Sequence, residues 1–318
     1  MTAYIIRRIL QSLLVLIIVT IIIFLAVRFL PGDPILMYIS PEELSVAGEE
    51  KIAALKYEFG LDKPVPLQYI NWFSGIFRGD LGKSMKYRVN VMDEISRRLP
   101  ITLYLGLIAF VISAIIGIPI GIISALRRGK WIDILVTSLA NIGIAVPVFW
   151  LGVLMVYFFG LQLRWLPIFG FTSPTQDFWL SLRQTIMPVI CLSLFSIASS
   201  ARQTRSSMLE VIRQDYIRTA WSKGLSERTV VIFHALKNGL IPIVTLKGMH
   251  LRSIVGGSVL VETVFSIPGM GRLAVEGLLA HDFAIVQGVA LIIALIVLLS
   301  NLLVDLSYGW LDPRIRYQ

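Results

Sequence analysis

Residues 101–126 read ITLYLGLIAFVISAIIGIPIGIISAL, twenty-six positions without a charge. A helix rises about 1.5 Å per residue, so about 20 apolar residues cross the hydrocarbon core of a bilayer. This stretch is long enough to do so and far longer than a buried strand. Five more stretches of the same character lie on either side of it, at about 9–30, 134–159, 186–201, 240–265 and 284–306. The one at 186–201 is the shortest and is rich in small residues. Composition agrees, with 56% hydrophobic and 15% charged residues against about 45–50% and 25% in soluble domains. The expected fold is therefore an all-α membrane protein with six transmembrane helices. Arg7 and Arg8 before the first stretch imitate a signal peptide. Its apolar run of about 22 residues, with no A-x-A-type cleavage site after it, reads instead as a retained membrane helix. A single cysteine, Cys191, excludes an internal disulfide framework.

The net charge of +9 could suggest nucleic acid, but in a membrane chain basic loops more often face the cytoplasm. Six spans place both termini on one side. If that side is the cytoplasm, the inner segments hold Arg7 and Arg8, then Arg127, Arg128 and Lys130, then seven basic residues between 202 and 238, then Arg314 and Arg316. The short outer segments after the third and fifth spans hold only Arg164, Arg183 and Arg272. The long outer segment 31–99 holds nine basic and ten acidic residues, and long loops count little in this rule. Arg97 and Arg98 run locally against it.

The expected organisation is an N-terminal membrane helix over 1–30, an extracytoplasmic helical segment over 31–99, a membrane core over 100–306 and a cytoplasmic tail over 307–318. In the outer segment Ser40-Pro41-Glu42-Glu43 reads as a capping box with proline at the first helical position. That helix should run to about Phe59 and stop at Gly60, with a second around Pro66–Phe77. The inner segment 202–238 reads as two short helices broken near Gly224-Leu225-Ser226. Gly224 can supply a left-handed turn and Ser226 a cap. Ala220, Gly224 and Leu225 would then form the tip of a charged helical elbow, shaped either to dock on another protein or to rest as a basic connector near anionic lipid.

Motifs that imitate chemistry fail on context. Gly82-Lys83-Ser84 resembles the end of a phosphate-binding loop, but the glycine required five residues earlier is Phe77 and no strand precedes it. Gly269-Met270-Gly271-Arg272-Leu273-Ala274 matches G-x-G-x-x-A outside any βαβ unit and reads as a tight turn. His234, His250 and His281 show no metal-ligand spacing, so no metal site is expected. No G-x-S-x-G elbow exists. Gly117 and Gly121 form a small-xxx-small pair that calls for close helix packing.

Charge inside the fifth span is informative, because ionisable groups at membrane depth are costly and tend to face a cavity or a partner. Counting from Leu240 at about 1.5 Å per residue puts Lys247 roughly 10 Å deep, His250 roughly 15 Å and Arg252 roughly 18 Å. Lys247 and His250 are three apart and share a face, whereas Arg252 points elsewhere. One reading is a helix lining a water-filled path through Lys247, His250, Arg252 and Glu262. The other is pairing with acidic groups of a neighbouring chain, or with Glu262 or Asp305.

Asp215-Tyr216-Ile217-Arg218-Thr219-Ala220-Trp221-Ser222-Lys223-Gly224-Leu225-Ser226, continuing through His234-Ala235-Leu236-Lys237 to Pro242, resembles the coupling loop of bacterial ATP-binding-cassette importer permeases of the dipeptide, oligopeptide and nickel group. The resemblance extends to Leu30-Pro31-Gly32-Asp33-Pro34, to the run from Glu262 to Arg272, and to the ending from Asn301 through Tyr317. Arg218-Thr219-Ala220 stands for the family's E-A-A, Gly224 is its glycine, and His234-Ala235-Leu236-Lys237 replaces I-x-L-P.

The resemblance implies a MetI-like core of spans two to six with the first span peripheral. It implies a heterodimer with a second permease, two cytoplasmic ATP-binding subunits and an extracytoplasmic substrate-binding protein, in the inner membrane. Coupling would rest on Asp215, Tyr216, Arg218, Thr219, Ala220, Lys223, Gly224, Leu225, Ser226 and His234. ATP and Mg would belong to the partner ATPases, leaving this chain without a cofactor, without catalysis and without nucleic acid. Di- or oligopeptide is the leading cargo, and nickel or a metal chelate the alternative. The basic fifth span argues against a bare cation. A stand-alone intramembrane enzyme or channel is the third reading, opposed by the missing catalytic constellation.

Overall fold

The computed structural model describes residues 2–29, 49–256 and 258–311, and side chains within them except at 2–4, 49–51, 241, 252, 253, 255 and 305–311. Among the described residues the chain is helical and has no strand, only an isolated antiparallel bridge between Lys83 and Asn90. It divides into two compact units, Met1–Thr102 with Pro268–Leu302, and Leu103–Ile267 with Leu303–Gln318. The Ser40 capping box lies outside the described residues.

The first unit holds α1 (Thr2–Arg28), α2 (Glu49–Glu58), α3 (Val65–Ile76) and the start of α4 (Val91–Leu126). Leu10, Leu14 and Ile22 of α1 stay exposed, as expected for a helix whose solvent is lipid. At its end Phe24 is buried under Tyr69 and Trp72, with ring centroids 5.4 and 6.0 Å away, which pins α3 to α1. Arg28 lies 5.3 Å from the ring centroids of both Phe24 and Phe283. The helix ending at Glu58 is closed by Gly60 at φ +65°, with the Leu61 amide returning to Lys56 O at 2.7 Å.

The pseudo-phosphate loop has a structural role. Ser84 donates to Asp282 Oδ2 at 2.5 Å, and the Lys86 amide donates to the same oxygen. Gly269-Met270-Gly271, expected as a tight turn, is not one. The tight turn comes earlier, where the Ile267 amide returns to Glu262 O at 2.8 Å. The glycine run instead opens a helix, Met270–Leu279, whose first amide donates to Thr102 Oγ1 at 2.8 Å. The unit's core joins Leu81, Val91 and Ile95 to Met270, Leu273, Ile285 and Val289.

The second unit contains the rest of α4, then α5 (Trp131–Ala145), α6 (Val148–Met155, continued by a π-helical turn to Gln162) and α7 (Phe178–Val211). The elbow helices α8 (Asp215–Ser222) and α9 (Glu227–Gly239) follow, then α10 (Ile241–Gly256) and α11 (Ser258–Val264). The Met270–Leu279 helix is α12, and α13 runs over Phe283–Leu311.

The stretch at 134–159 is not one straight helix. α5 and α6 meet at a 99° bend, because Pro147 removes an amide donor and forces Val146 out of the helical region, to ψ 122°. Among the described residues four helices are long and apolar enough to cross a membrane, or up to six if each bent pair counts as one span. The glycine pair of α4 packs as its spacing suggests. A Cβ on Gly117 would lie 2.8 Å from Ile197 O, and one on Gly121 2.5 Å from Ala201 O. α4 and α7 therefore touch backbone to backbone.

Candidate functional site

The elbow is built by amphipathic local sequence. Ile217 and Ala220 turn inward against Met208, Val230, Val231 and Ala235, closing a small core with Ala125. Gly224 takes φ +77° with its amide on Trp221 O, ending α8, and Ser226 accepts from the Thr229 amide to start α9. Asp215, Tyr216, Arg218, Thr219, Lys223, Gly224, Leu225 and Ser226 are all exposed, while His234 is half-buried in a π-helical turn. Arg218 reaches Asp215 at 3.5 Å, and Asn238 Nδ2 donates to Tyr216 Oη at 2.8 Å. Ala220, expected at the tip, is 5% exposed and belongs to the inner face. Its small side chain is what lets α8 lie close to α9. The exposed surface of the elbow carries Tyr216, Trp221, Ile232 and Phe233 among its charges.

An ion pair braces the root of the elbow. Asp133 at the start of α5 accepts from Arg205 of α7, from Ser124 Oγ at 2.6 Å and from the Gly129 amide at 2.9 Å. Composition gave no sign of this pairing, since its partners are far apart in sequence.

Lys247 and His250 of α10 do share a face, and their partners are hydroxyls. Lys247 Nζ donates to Ser113 Oγ of α4 at 2.6 Å and lies 3.5 Å from Ser196 Oγ of α7. His250 Nδ1 is 2.6 Å from Ser196 Oγ, and Nε2 is 3.2 Å from Ser199 Oγ. Three helices thus converge on one polar cluster inside an apolar unit. Glu262 is fully buried on α11, and among the described residues it makes no ion pair with Lys247. The Arg252 and Asp305 side chains lie outside those described. Ser113, Ser196 and Ser199 were not read from the sequence. Their signal was present, as hydroxyls set in apolar runs, with Ser196 and Ser199 three apart on one helical face.

The profile of the binding-protein-dependent transport system inner membrane component matches residues 117–317, and that of the corresponding N-terminal membrane component matches residues 1–106. A Sinorhizobium fredii protein described as a peptide ABC transporter permease is 41% identical over 317 residues, covering 100% of both chains. The dipeptide transport system permease of Escherichia coli K12 is 37% identical over 341 residues, again covering 100% of both. Among solved structures, an inward-facing MetNI methionine ABC transporter aligns with a TM-score of 0.57 at 20% identity, covering 70% of this chain and 97% of that one. At that identity the likeness is one of fold.

Proposed function

The chain belongs to the binding-protein-dependent transport system inner membrane component family, and from that premise we propose that it is the membrane-spanning permease of an ATP-driven importer of di- or oligopeptides. Peptide cargo is supported by full-length relatives named for peptide and dipeptide transport, which do not favour the nickel alternative. In this reading the chain crosses the inner membrane six times, each bent helix pair counting as one span, with both termini in the cytoplasm. The first helix is peripheral, residues 31–99 face outward, and spans two to six form the core. A second permease completes the path, two cytoplasmic subunits bind ATP and Mg, and an extracytoplasmic protein delivers the peptide. Hydrolysis belongs to the ATPases. Lys247, His250, Arg252 and Glu262 serve the path.

The single observation that carries the mechanism is the elbow. A preformed two-helix corner with its own small core and an exposed rim of Tyr216, Arg218, Trp221, Lys223 and Leu225 is a rigid lever. Movement of the ATPase pair transmitted through such a lever can bias the permease between two states, and differential binding in those states is what shifts their populations. Buried Ala220 and half-buried His234 shape the lever, while Asp215, Thr219, Gly224 and Ser226 fix its turns.

Uptake of a labelled dipeptide in a deletion strain tests the proposal. Gly224→Pro cannot adopt φ +77° and should reduce uptake at least about tenfold. Wild-type uptake by that variant sinks the lever. Orientation is tested separately by Ser222→Cys, which an impermeant thiol reagent should leave unlabelled in intact cells and label in inverted vesicles.

A further inference from the structure

Lys247 brings an ammonium group into the interior of the second unit, where it is 8% exposed. Among the described residues no carboxylate lies within ion-pair distance of it. Its company is Ser113 Oγ at 2.6 Å, Ser196 Oγ at 3.5 Å and the Phe110 ring, centroid 5.5 Å away. Neutral hydroxyls and an aromatic face only partly replace the water that a buried cation gives up, and charges at membrane depth are retained where they meet an opposite charge or a pathway.

The same hydroxyl, Ser196, links Lys247 to His250. Beyond that link opens a cavity of ≈ 360 Å³. Ser196 and His250 form its polar end, and Phe110, Val146, Phe195 and Ile254 are among the apolar residues lining the rest. Its volume is at the lower end of the about 300–1,000 Å³ usual for small-molecule sites, which suits one amino-acid residue rather than a whole peptide. The break at Pro147 contributes to the wall, since Val146 and Val148 flank it.

We propose that this cavity is a carboxylate-binding subsite. It takes the C-terminal residue of a peptide in transit, its free carboxylate against Ser196 and His250 with Lys247 as counter-ion and its apolar side chain in the cavity. The inference rests on the peptide-import reading. Charge complementarity selects the carboxylate end: a peptide's ammonium end would meet a like charge, and a bare metal cation would be repelled. The ligand supplies the negative charge that the described residues do not bring to Lys247, and in this reading bound cargo is what compensates it. Occupancy is thereby coupled to the packing of α4, α7 and α10, the three helices that contribute hydroxyls and base. Release requires those hydroxyls to separate, which the swing between two permease states can provide.

The test uses the complete transporter in proteoliposomes with its binding protein, and two probes, Ala-Phe and its C-terminal amide. The binding protein's affinity for each probe is measured alone, and its preference is divided out of the uptake ratio. Wild type should favour the free acid by at least about tenfold beyond that preference, as expected of a buried site that pairs a charge. Lys247→Met, which is close to isosteric, should slow the free acid to the rate of the amide, and Lys247→Arg should keep part of the preference. The melting temperature of Lys247→Met should equal or exceed that of wild type, because an uncompensated charge is removed.

The subsite is overturned if wild type shows no excess preference, or if Lys247→Met keeps it. It is also overturned if Lys247→Met melts lower and loses both probes equally, which marks a structural clamp. Wild type importing neither probe, although its binding protein holds both, overturns the peptide-import reading instead.

Discussion

Arg205 holds the Asp133 carboxylate through two parallel hydrogen bonds, Nε to Oδ1 at 2.6 Å and a terminal nitrogen to Oδ2 at 2.9 Å. Asp133 is nearly buried and Arg205 is only partly exposed, so each neutralises a charge that the surroundings do not solvate. Arg205→Ala should destabilise the protein by about 3 kcal/mol, chiefly by stranding the carboxylate. Changing both residues to leucine should recover much of that loss. Thermal unfolding of the three variants in detergent checks it. A double variant no more stable than Arg205→Ala would show that the pair does more than balance charge.

Two glycines should differ sharply in what an added side chain costs. A Cβ on Gly121 would stand 2.5 Å from the Ala201 carbonyl, whereas one on Gly224 meets nothing within 4 Å. Gly121→Val should separate α4 from α7 and cost about 3 kcal/mol. Gly224→Ala carries only the conformational penalty of positive φ, about 1 kcal/mol. Size-exclusion profiles and melting curves should show the first variant aggregated or poorly expressed and the second close to wild type.

Within the elbow, inward and outward residues should separate by assay. Ala220→Arg places a charge in the small core with Ile217 and Met208, so it should speed limited proteolysis between 202 and 238 as well as abolish ATPase binding. Leu225→Asp, at an exposed position, should weaken ATPase binding while leaving the protease pattern unchanged. Equal proteolysis of both variants would show that the elbow has no core of its own.

The Glu276 carboxylate of α12 gives the first unit an acid-sensitive contact. Burial alone would raise its pKa. A hydrogen bond from Tyr87 Oη at 2.6 Å, the Arg98 guanidinium and Arg272 Nε at 2.8 Å hold it below the ordinary value of 4.5. A carboxylate depressed on folding contributes stability above its unfolded pKa and loses it as pH falls through the folded value. Melting temperature should therefore drop as the pH is lowered from about 5, and Glu276→Gln should flatten that slope. Tyr87 works at the other end. Burial, then its bond to Glu276, pushes it up to about 12 from 10.0, so its contribution holds below pH 10 and fades as pH rises towards 12. A Tyr87→Phe variant that keeps the full alkaline slope would remove Tyr87 from this account.

The helical character of the apolar stretches and the elbow could be read from residues alone, but the helix lengths could not: the stretch at 186–201 lies within a helix of 34 residues and that at 101–126 within one of 36. Membrane insertion and helical turns are local matters, decided by runs of twenty apolar positions, by a glycine at a positive φ and by a serine at a cap. The bend at Pro147 was equally local and could have been read from the Val146-Pro147 step. The sequence also implied that Lys247 and His250 share a face, because their spacing is a property of one helix. It showed the serines of the apolar runs but not that Ser113, Ser196 and Ser199 are what that face meets.

Ser113, Ser196 and Ser199 become a single polar cluster only when α4, α7 and α10 take one rotation and one separation. Close packing at Gly117 and Gly121 sets α4 against α7, and Gly106, where a Cβ would run into Ile254, sets α4 against α10. Asp133 finds Arg205 for the same reason. Individual apolar spans are interchangeable to the lipid around them, so the mutual register of helices is decided by side-chain interlocking between segments distant in the chain, and tertiary structure alone supplies it.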